Sequence, residues 1–331
     1  MNTVFSKAFD VIDTHTEGEP TRIMFWNEPI GKYKNALELR ENFKREHDNV
    51  RKLLMLEPRG HIDQFGAIIF PPISEENDYT LLYITNDGYL DMCGHATIGV
   101  STVLASLGYV KVSEPETVIR YDTVSGNVEA HVHINNNNVE SVSIIDVNSY
   151  YVGNGNIDIE GKRIRVDIAY GGNYYAIVNS KDIKIPVETE NIENLISTGN
   201  EIRKQTYHII KDMVPDNGEN LYPLAMITDD KKEYRAVVIF SNKSFDRSPC
   251  GTGTAARAAL LHEKGILKEG DSYVHRSIIG SQFQCKIISV KREGNKNLII
   301  PEITGSAWIT QFTKIVVSPD DPFQSGFMPK K

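Results

Sequence analysis

Cys93-Gly94-His95-Ala96-Thr97 and Cys250-Gly251-Thr252-Gly253-Thr254 are two copies of one short pattern, and the match runs well past the cysteines. In each copy a Thr stands four residues after the Cys, a Gly fifteen residues after it, and a Lys three residues beyond that Gly. These are Thr97, Gly108 and Lys111 in the first copy, and Thr254, Gly265 and Lys268 in the second. A β-rich run precedes each, residues 79–85 and 235–241. A repeated strand–Cys–helix unit predicts two half-molecules, each contributing one thiol to a shared site.

Residues 94–107 and 251–264 carry apolar side chains at helical spacing and end at a glycine, where a left-handed cap is common. Each cysteine therefore stands at a helix N-terminus. Unpaired N–H groups and the positive end of the helix dipole favour a thiolate there, so both thiols are expected to ionise below the free value of about 8.5. The same amides form an anion site. Two such helix ends holding one carboxylate between two sulfurs would take a proton from one face of a carbon and return one to the other. An isolated intracellular cysteine is more often a small buried hydrophobe, and a glycine after a strand is often turn chemistry alone. The matching contexts of Cys93 and Cys250 set this pair apart.

The 331 residues leave room for two domains of ordinary size. With 40% hydrophobic and 24% charged residues, the chain reads as a globular enzyme or binding protein. A formal net charge of −8 without a long basic run argues against nucleic acid or anionic membranes as partners. Residues 1–13 lack the apolar core of a signal peptide, and no apolar stretch is long enough to span a bilayer. Three cysteines make no disulfide framework, so a reducing, cytoplasmic setting is expected. Cys285, in a strand-like run with no helix start after it, reads as core or surface filler.

Most of the chain patterns as strands: 8–13, 67–70, 79–85, 117–121, 127–134 and 139–147 in one series. The second series is 162–168, 173–178, 224–228, 235–241, 272–278 and 282–290. Amphipathic helices are predicted at 37–54 and 191–212, and the four asparagines at 135–138 as a hairpin turn. The polar Gly/Asn-rich stretch 148–158 reads as the internal boundary, and 307–317 as a closing strand that returns to the first domain. The division predicted is 1–147 plus about 308–331, carrying Cys93, and about 148–307, carrying Cys250.

At these motifs the chain resembles the proline racemase family. The two signature segments are Asp91-Met92-Cys93-Gly94-His95 and Asp246-Arg247-Ser248-Pro249-Cys250-Gly251-Thr252-Gly253-Thr254. Supporting segments include Asp13-Thr14-His15-Thr16-Glu17-Gly18-Glu19-Pro20-Thr21-Arg22, Leu56-Glu57-Pro58-Arg59-Gly60-His61, Gly171-Gly172-Asn173-Tyr174-Tyr175-Ala176 and Ile303-Thr304-Gly305-Ser306-Ala307. The resemblance implies an α/β (α+β), diaminopimelate-epimerase-like fold. In it, two similar domains each wrap a β-barrel-like sheet around a central helix, with the active site in the interdomain cleft. It also implies catalysis without pyridoxal phosphate or a metal, and a homodimer. Carried over by motif, Cys93 and Cys250 are the acid/base pair, and the amides of Gly94, His95, Gly251 and Thr252 bind the substrate carboxylate. Asp246 is the counter-ion of the ring ammonium. His95 is either a site residue able to tune the neighbouring thiolate or a helix-start residue. His15, His61 and Glu19 are expected in structural roles, in loops beside the site.

Among family members, those that dehydrate trans-3-hydroxy-L-proline carry Thr at the position of Cys250. Its cysteine therefore favours two-base racemisation or epimerisation over dehydration. Phe65 and Phe240 match the aromatic pair that packs the pyrrolidine ring in proline racemases, and Leu224 matches a further apolar position. Such a wall leaves a 4-hydroxyl unpaired and favours proline over 4-hydroxyproline. Tyr174 and Tyr175, in place of a Phe-Phe pair, are candidates to meet a ring hydroxyl; alternatively they pack with their hydroxyls in water. A 4-hydroxyproline 2-epimerase, a dehydratase and a non-catalytic imino-acid-binding protein are the alternative functions.

Overall fold

The computed structural model describes residues 5–215, 220–230, 234–241, 243–294 and 296–329. The chain divides into two compact units, Met1–Ile144 with Ser306–Lys331, and Ile145–Gly305. The fold is a mixed α/β one, and among the described residues no helix is long and apolar enough to cross a membrane.

The first unit contains β1 (Lys7–Thr16), β2 (Glu19–Phe25), α1 (Ala36–Met55), β3 (Phe65–Phe70), β4 (Tyr79–Thr85) and β5 (Tyr89–Leu90). It continues with α2 (Gly94–Ser106), β6 (Glu116–Thr123), β7 (Gly126–Asn135) and β8 (Asn138–Ile145), and takes back β17 (Ala307–Val317) from the end of the chain. Its strands run in the order β17-β1-β2-β3-β4-β6-β7-β8, with β5 paired to β4. α2 packs against β1, β2, β3, β7 and β17, and every residue from Gly94 to Ala105 is buried. A helix buried on every side, with its Ser and Thr hydroxyls bonded to partners inside the protein, belongs inside a sheet rather than on its surface. α1 is amphipathic and lies outside, setting Leu39, Phe43, Leu53 and Leu54 against Ile68, Phe70, Leu82 and Ile84.

Two expectations fail in this unit. His15 lies on β1 and Glu19 opens β2, so neither is a loop residue; His61 alone of the three lies in a loop. The strand β2, with Pro20 near its start, escaped the pattern reading. Glu17 (φ 50°) and Gly18 (φ 99°) form the two-residue left-handed turn that pairs Thr16 with Glu19. His15 stacks on Trp308 and accepts the Gly18 N–H at Nδ1. At the asparagine run, Asn136 and Asn137 take positive φ and turn β7 into β8, as the composition predicts.

The second unit contains β9 (Ser149–Ile159), β10 (Lys162–Tyr170), β11 (Tyr174–Asn179), the one-turn α3 (Ser180–Ile183), α4 (Ile192–Met213), β12 (Leu224–Asp229) and β13 (Arg235–Ile239). After α5 (Gly251–Glu263) come β14 (Ser272–Arg276), β15 (Gln282–Glu293) and β16 (Lys296–Gly305). Among the described residues β9 to β16 pair in sequence order, and β16 pairs back to β9, closing an eight-stranded barrel. α5 packs against β9, β10, β11, β15 and β16, buried at Gly251 and from Gly253 to Leu261. Cys285 lies on β15 and is 1% exposed, a core residue.

The stretch 148–158, read as the internal boundary, lies almost wholly in the barrel strand β9, and the two units divide just before it, between Ile144 and Ile145. Its glycines mark close approach rather than a loop. A Cβ on Gly155 would lie 2.8 Å from Ile209 Cδ1, and one on Gly153 3.2 Å from Met213 Sδ, because α4 packs directly on this strand.

Candidate active site

The repeat visible in the sequence has a local structural cause at both ends of each helix. Cys93 is the N-cap of α2 and Cys250 the N-cap of α5. The Thr four residues on closes the first turn: Thr97 donates through both N and Oγ1 to the Cys93 carbonyl, at 3.0 and 2.9 Å. Thr254 does the same to the Cys250 carbonyl, at 2.8 and 2.7 Å. At the far ends, Gly108 (φ 74°) and Gly265 (φ 71°) take the left-handed conformation. Tyr109 N–H then reaches Leu104 O and Ile266 N–H reaches Leu261 O, both at 2.9 Å, a six-to-one closure that glycine makes sterically possible.

In the first unit Cys93 is 6% exposed, and its sulfur lies 3.5 Å from His95 Nδ1. Burial holds His95 at a pKa of about 3, so the ring is neutral across the physiological range and carries one N–H for its neighbours. Phe65, at the head of β3, sets its ring edge-to-face on His95 with centroids 4.8 Å apart. Gly94 and His95 occupy the first two helical positions, where an α-helix offers no acceptor to its own N–H groups.

In the second unit Cys250 is 9% exposed and has φ 67°, ψ 114°, a left-handed backbone that costs a non-glycine residue energy unless its surroundings hold it. Ser248 supplies the hold. Its Oγ accepts the Cys250 N–H at 3.0 Å and donates to Asp246 Oδ1 at 2.7 Å, and its own N–H donates to the same oxygen at 2.8 Å. Gly253 leaves room for the sulfur, since a Cβ there would lie 3.2 Å from Cys250 Sγ. Gly171 brings the β10–β11 turn against the start of α5, where a Cβ would collide with Thr252 O and Ala256 N.

The buried Tyr175 hydroxyl lies 3.2 Å from Cys250 Sγ and 2.6 Å from Thr252 Oγ1. Leu224, first residue of β12, packs into the same apolar cluster as Cys250, Tyr175, Met226 and Ala256. Phe240 follows the last residue of β13, with its amide on Ser244 O, in the loop that leads to Asp246. Gly251 and Thr252 are the first two residues of α5. Tyr174 belongs elsewhere, packed with Ile168, Ile210, Val214 and Leu221.

The expectation of a depressed thiol pKa is overturned at Cys250. Burial first, then the Asp246 carboxylate, push this thiol well above its ordinary range; hydrogen bonds from Tyr175, the Gly253 N–H and Thr252 oppose them without prevailing. Desolvation outweighs the helix terminus because nearly all of the residue is out of water. Among the described residues no three His, Cys, Asp or Glu side chains gather as metal ligands. Two contacts went unread in the sequence: Tyr175 to Cys250, across 75 positions, and the Ser248 link. Asp246-Arg247-Ser248 did carry a signal for the second, since a carboxylate two residues before a Ser is an Asx-turn pattern.

Comparison with known proteins supplies a family. The family model described as proline racemase matches residues 11–328. A proline racemase of Acetoanaerobium sticklandii is 37% identical over 332 residues, covering 98% of this chain and 99% of that protein. A 4-hydroxyproline 2-epimerase of Streptosporangium roseum is 36% identical over 97% of this chain and 98% of its own length. Among solved structures, a hydroxyproline epimerase of Agrobacterium vitis with bound trans-4-hydroxy-L-proline superposes with a TM-score of 0.85 at 28% identity. That match covers 98% of this chain and 97% of the other.

Proposed function

The chain belongs to the proline racemase family, and from that premise we propose that it interconverts L- and D-proline with Cys93 and Cys250 as its two acid/base groups. The thiolate of one cysteine takes the α-proton, and the C–H electron pair passes into the carboxylate as an enediolate. The thiol of the other cysteine gives its proton to the opposite face of the α-carbon. The two sulfurs finish with their protonation exchanged, and turnover of the product enantiomer restores them. The amides of Gly94, His95, Gly251 and Thr252 would hold the carboxylate and stabilise its developing charge. Asp246 would pair with the ring ammonium, and Phe65, Phe240 and Leu224 would line the ring. The chemistry needs neither pyridoxal phosphate nor a metal. A homodimer, with both thiols of each subunit reaching one substrate, completes the reading.

The observation that carries it is the N-cap position of both cysteines on buried helices, whose first-turn N–H groups have no acceptor within the helix. The neutral His95 ring beside Cys93 can donate to a thiolate there, while burial favours the thiol at Cys250. The ring ammonium of an imino acid paired with Asp246 would offset the carboxylate that opposes ionisation of Cys250, so substrate binding itself would ease proton abstraction by this sulfur.

The second reading, a 4-hydroxyproline 2-epimerase, uses the same thiols and is favoured by the relative with bound trans-4-hydroxy-L-proline. Proline is preferred because Leu224 is apolar, Tyr174 packs in a different cluster, and the Tyr175 hydroxyl already has two partners. L-Proline and trans-4-hydroxy-L-proline, each incubated in heavy water, decide the matter by NMR and polarimetry. The expected result is α-deuteration with loss of rotation, faster for L-proline. No α-exchange with either compound would refute the reading, and faster exchange of hydroxyproline would install the epimerase.

A further inference from the structure

Tyr175 is 0% exposed, at the base of the second unit's cysteine site, and its hydroxyl touches two polar atoms, Cys250 Sγ at 3.2 Å and Thr252 Oγ1 at 2.6 Å. A phenol at this depth would be a costly placement if it only filled space, because Phe fills nearly the same volume without a polar atom to satisfy. We propose that Tyr175 is a positioning residue for Cys250, its hydroxyl donating to the sulfur in the thiolate state and accepting from it in the thiol state. The proton count closes in both states. With Cys250 as thiolate, Tyr175 O–H donates to Sγ and Thr252 O–H donates to the phenol oxygen. With Cys250 as thiol, S–H donates to the phenol oxygen and Tyr175 O–H turns to Thr252 Oγ1. Only hydroxyl and thiol rotors move, and no proton leaves the group.

Burial keeps the phenol itself protonated, far above its ordinary range, so it remains a donor at any pH the protein tolerates. The side chain is held by Ala169, Met226, Val238, Leu224 and Leu260 in one cluster, which fixes where the hydroxyl points. Cys250 Sγ lies 3.9 Å from Thr252 Oγ1 and 3.2 Å from the phenol oxygen, so the phenol is the nearer hydroxyl to the sulfur and links it to Thr252 at 2.6 Å.

The proposal rests on Cys250 cycling between thiol and thiolate, but its test does not require turnover. The rate at which iodoacetamide alkylates Cys250, read by peptide mass spectrometry across pH, reports the ionisation midpoint of that sulfur alone. Tyr175→Phe should raise the midpoint by about one pH unit, a roughly tenfold loss of thiolate at a fixed pH below the midpoint. Tyr174→Phe, in a separate cluster, should leave it in place. Site-specific 3-fluorotyrosine at position 175, a stronger donor of the same shape, should lower it. This second variant answers the question if the Phe variant does not fold. A midpoint unmoved or lowered by Tyr175→Phe, or unmoved or raised by fluorination, overturns the proposal. The predicted shifts in a protein that exchanges no imino-acid α-proton would sustain the role of Tyr175 and sink the racemase reading.

Discussion

Ser248→Ala is the most demanding test of how the second cysteine is held. The hydroxyl it removes is 1% exposed at the residue level and makes two bonds: it donates to Asp246 Oδ1 at 2.7 Å and accepts the Cys250 N–H at 3.0 Å. Losing a bond to a buried carboxylate costs about 1.5–3 kcal/mol, and leaving the Cys250 N–H without its acceptor costs about 1–3 kcal/mol. The residue that loses its anchor has φ 67°, which Cys tolerates only under restraint, so local relaxation toward negative φ should absorb part of the loss. A net destabilisation of about 3–4 kcal/mol follows. For a unit of this size that is roughly a 6–16 °C fall in its calorimetric Tm. The same relaxation moves Sγ, and a displacement of about 1 Å costs on the order of a hundredfold in kcat/KM, measured by polarimetry on L-proline. Ser248→Thr keeps the hydroxyl and should recover most of both. A Ser248→Ala protein that loses less than about 1 kcal/mol and stays within about threefold in kcat/KM would show that the Cys250 backbone is held by something else.

Cys93→Ser and Cys250→Ser should each abolish racemisation by polarimetry while leaving the melting profile near that of the parent; activity within a few-fold of the parent in either would remove the two-thiol mechanism. Leu224→Ser should narrow a preference for L-proline over trans-4-hydroxy-L-proline that is expected to be about tenfold, by offering the 4-hydroxyl a partner; an unchanged kcat/KM ratio would take Leu224 out of the ring pocket. Asp146, buried with the Val147 N–H on its carboxylate at 2.8 Å, is pushed up by burial to about 6 from an ordinary 3.8. A raised folded-state pKa favours the fold fully below the unfolded value and loses that contribution as pH climbs through about 6. Asp146→Asn should therefore raise the Tm at pH 8, by the equivalent of roughly 3 kcal/mol, and leave it unchanged at pH 3. An equal shift at both pH values would mean that the carboxyl is not a buried acid.

The sequence by itself determined whatever depends on near neighbours along the chain. Thr97 and Thr254 lie one turn after their cysteines and can only close that turn, and Gly108 and Gly265 end their helices because a residue there must take positive φ. The outer helices and most strands are legible for the same reason, since their apolar spacing repeats at the period of the element. Where neighbours along the chain mislead, only tertiary structure decides. The stretch that forms β9 reads as a polar boundary because Gly153 and Gly155 leave room for the approach of α4. β2 hides behind Pro20 until its hairpin partner is in place. The ionisation of Cys250 follows the same division. Its helix-start position argues for a low pKa, yet burial and Asp246 carry it the other way, and Tyr175 arrives at its sulfur from 75 positions away. Desolvation and long-range hydrogen bonds depend on which surfaces meet. That is settled when the barrel closes around α5, not by the order of residues on either side of the cysteine.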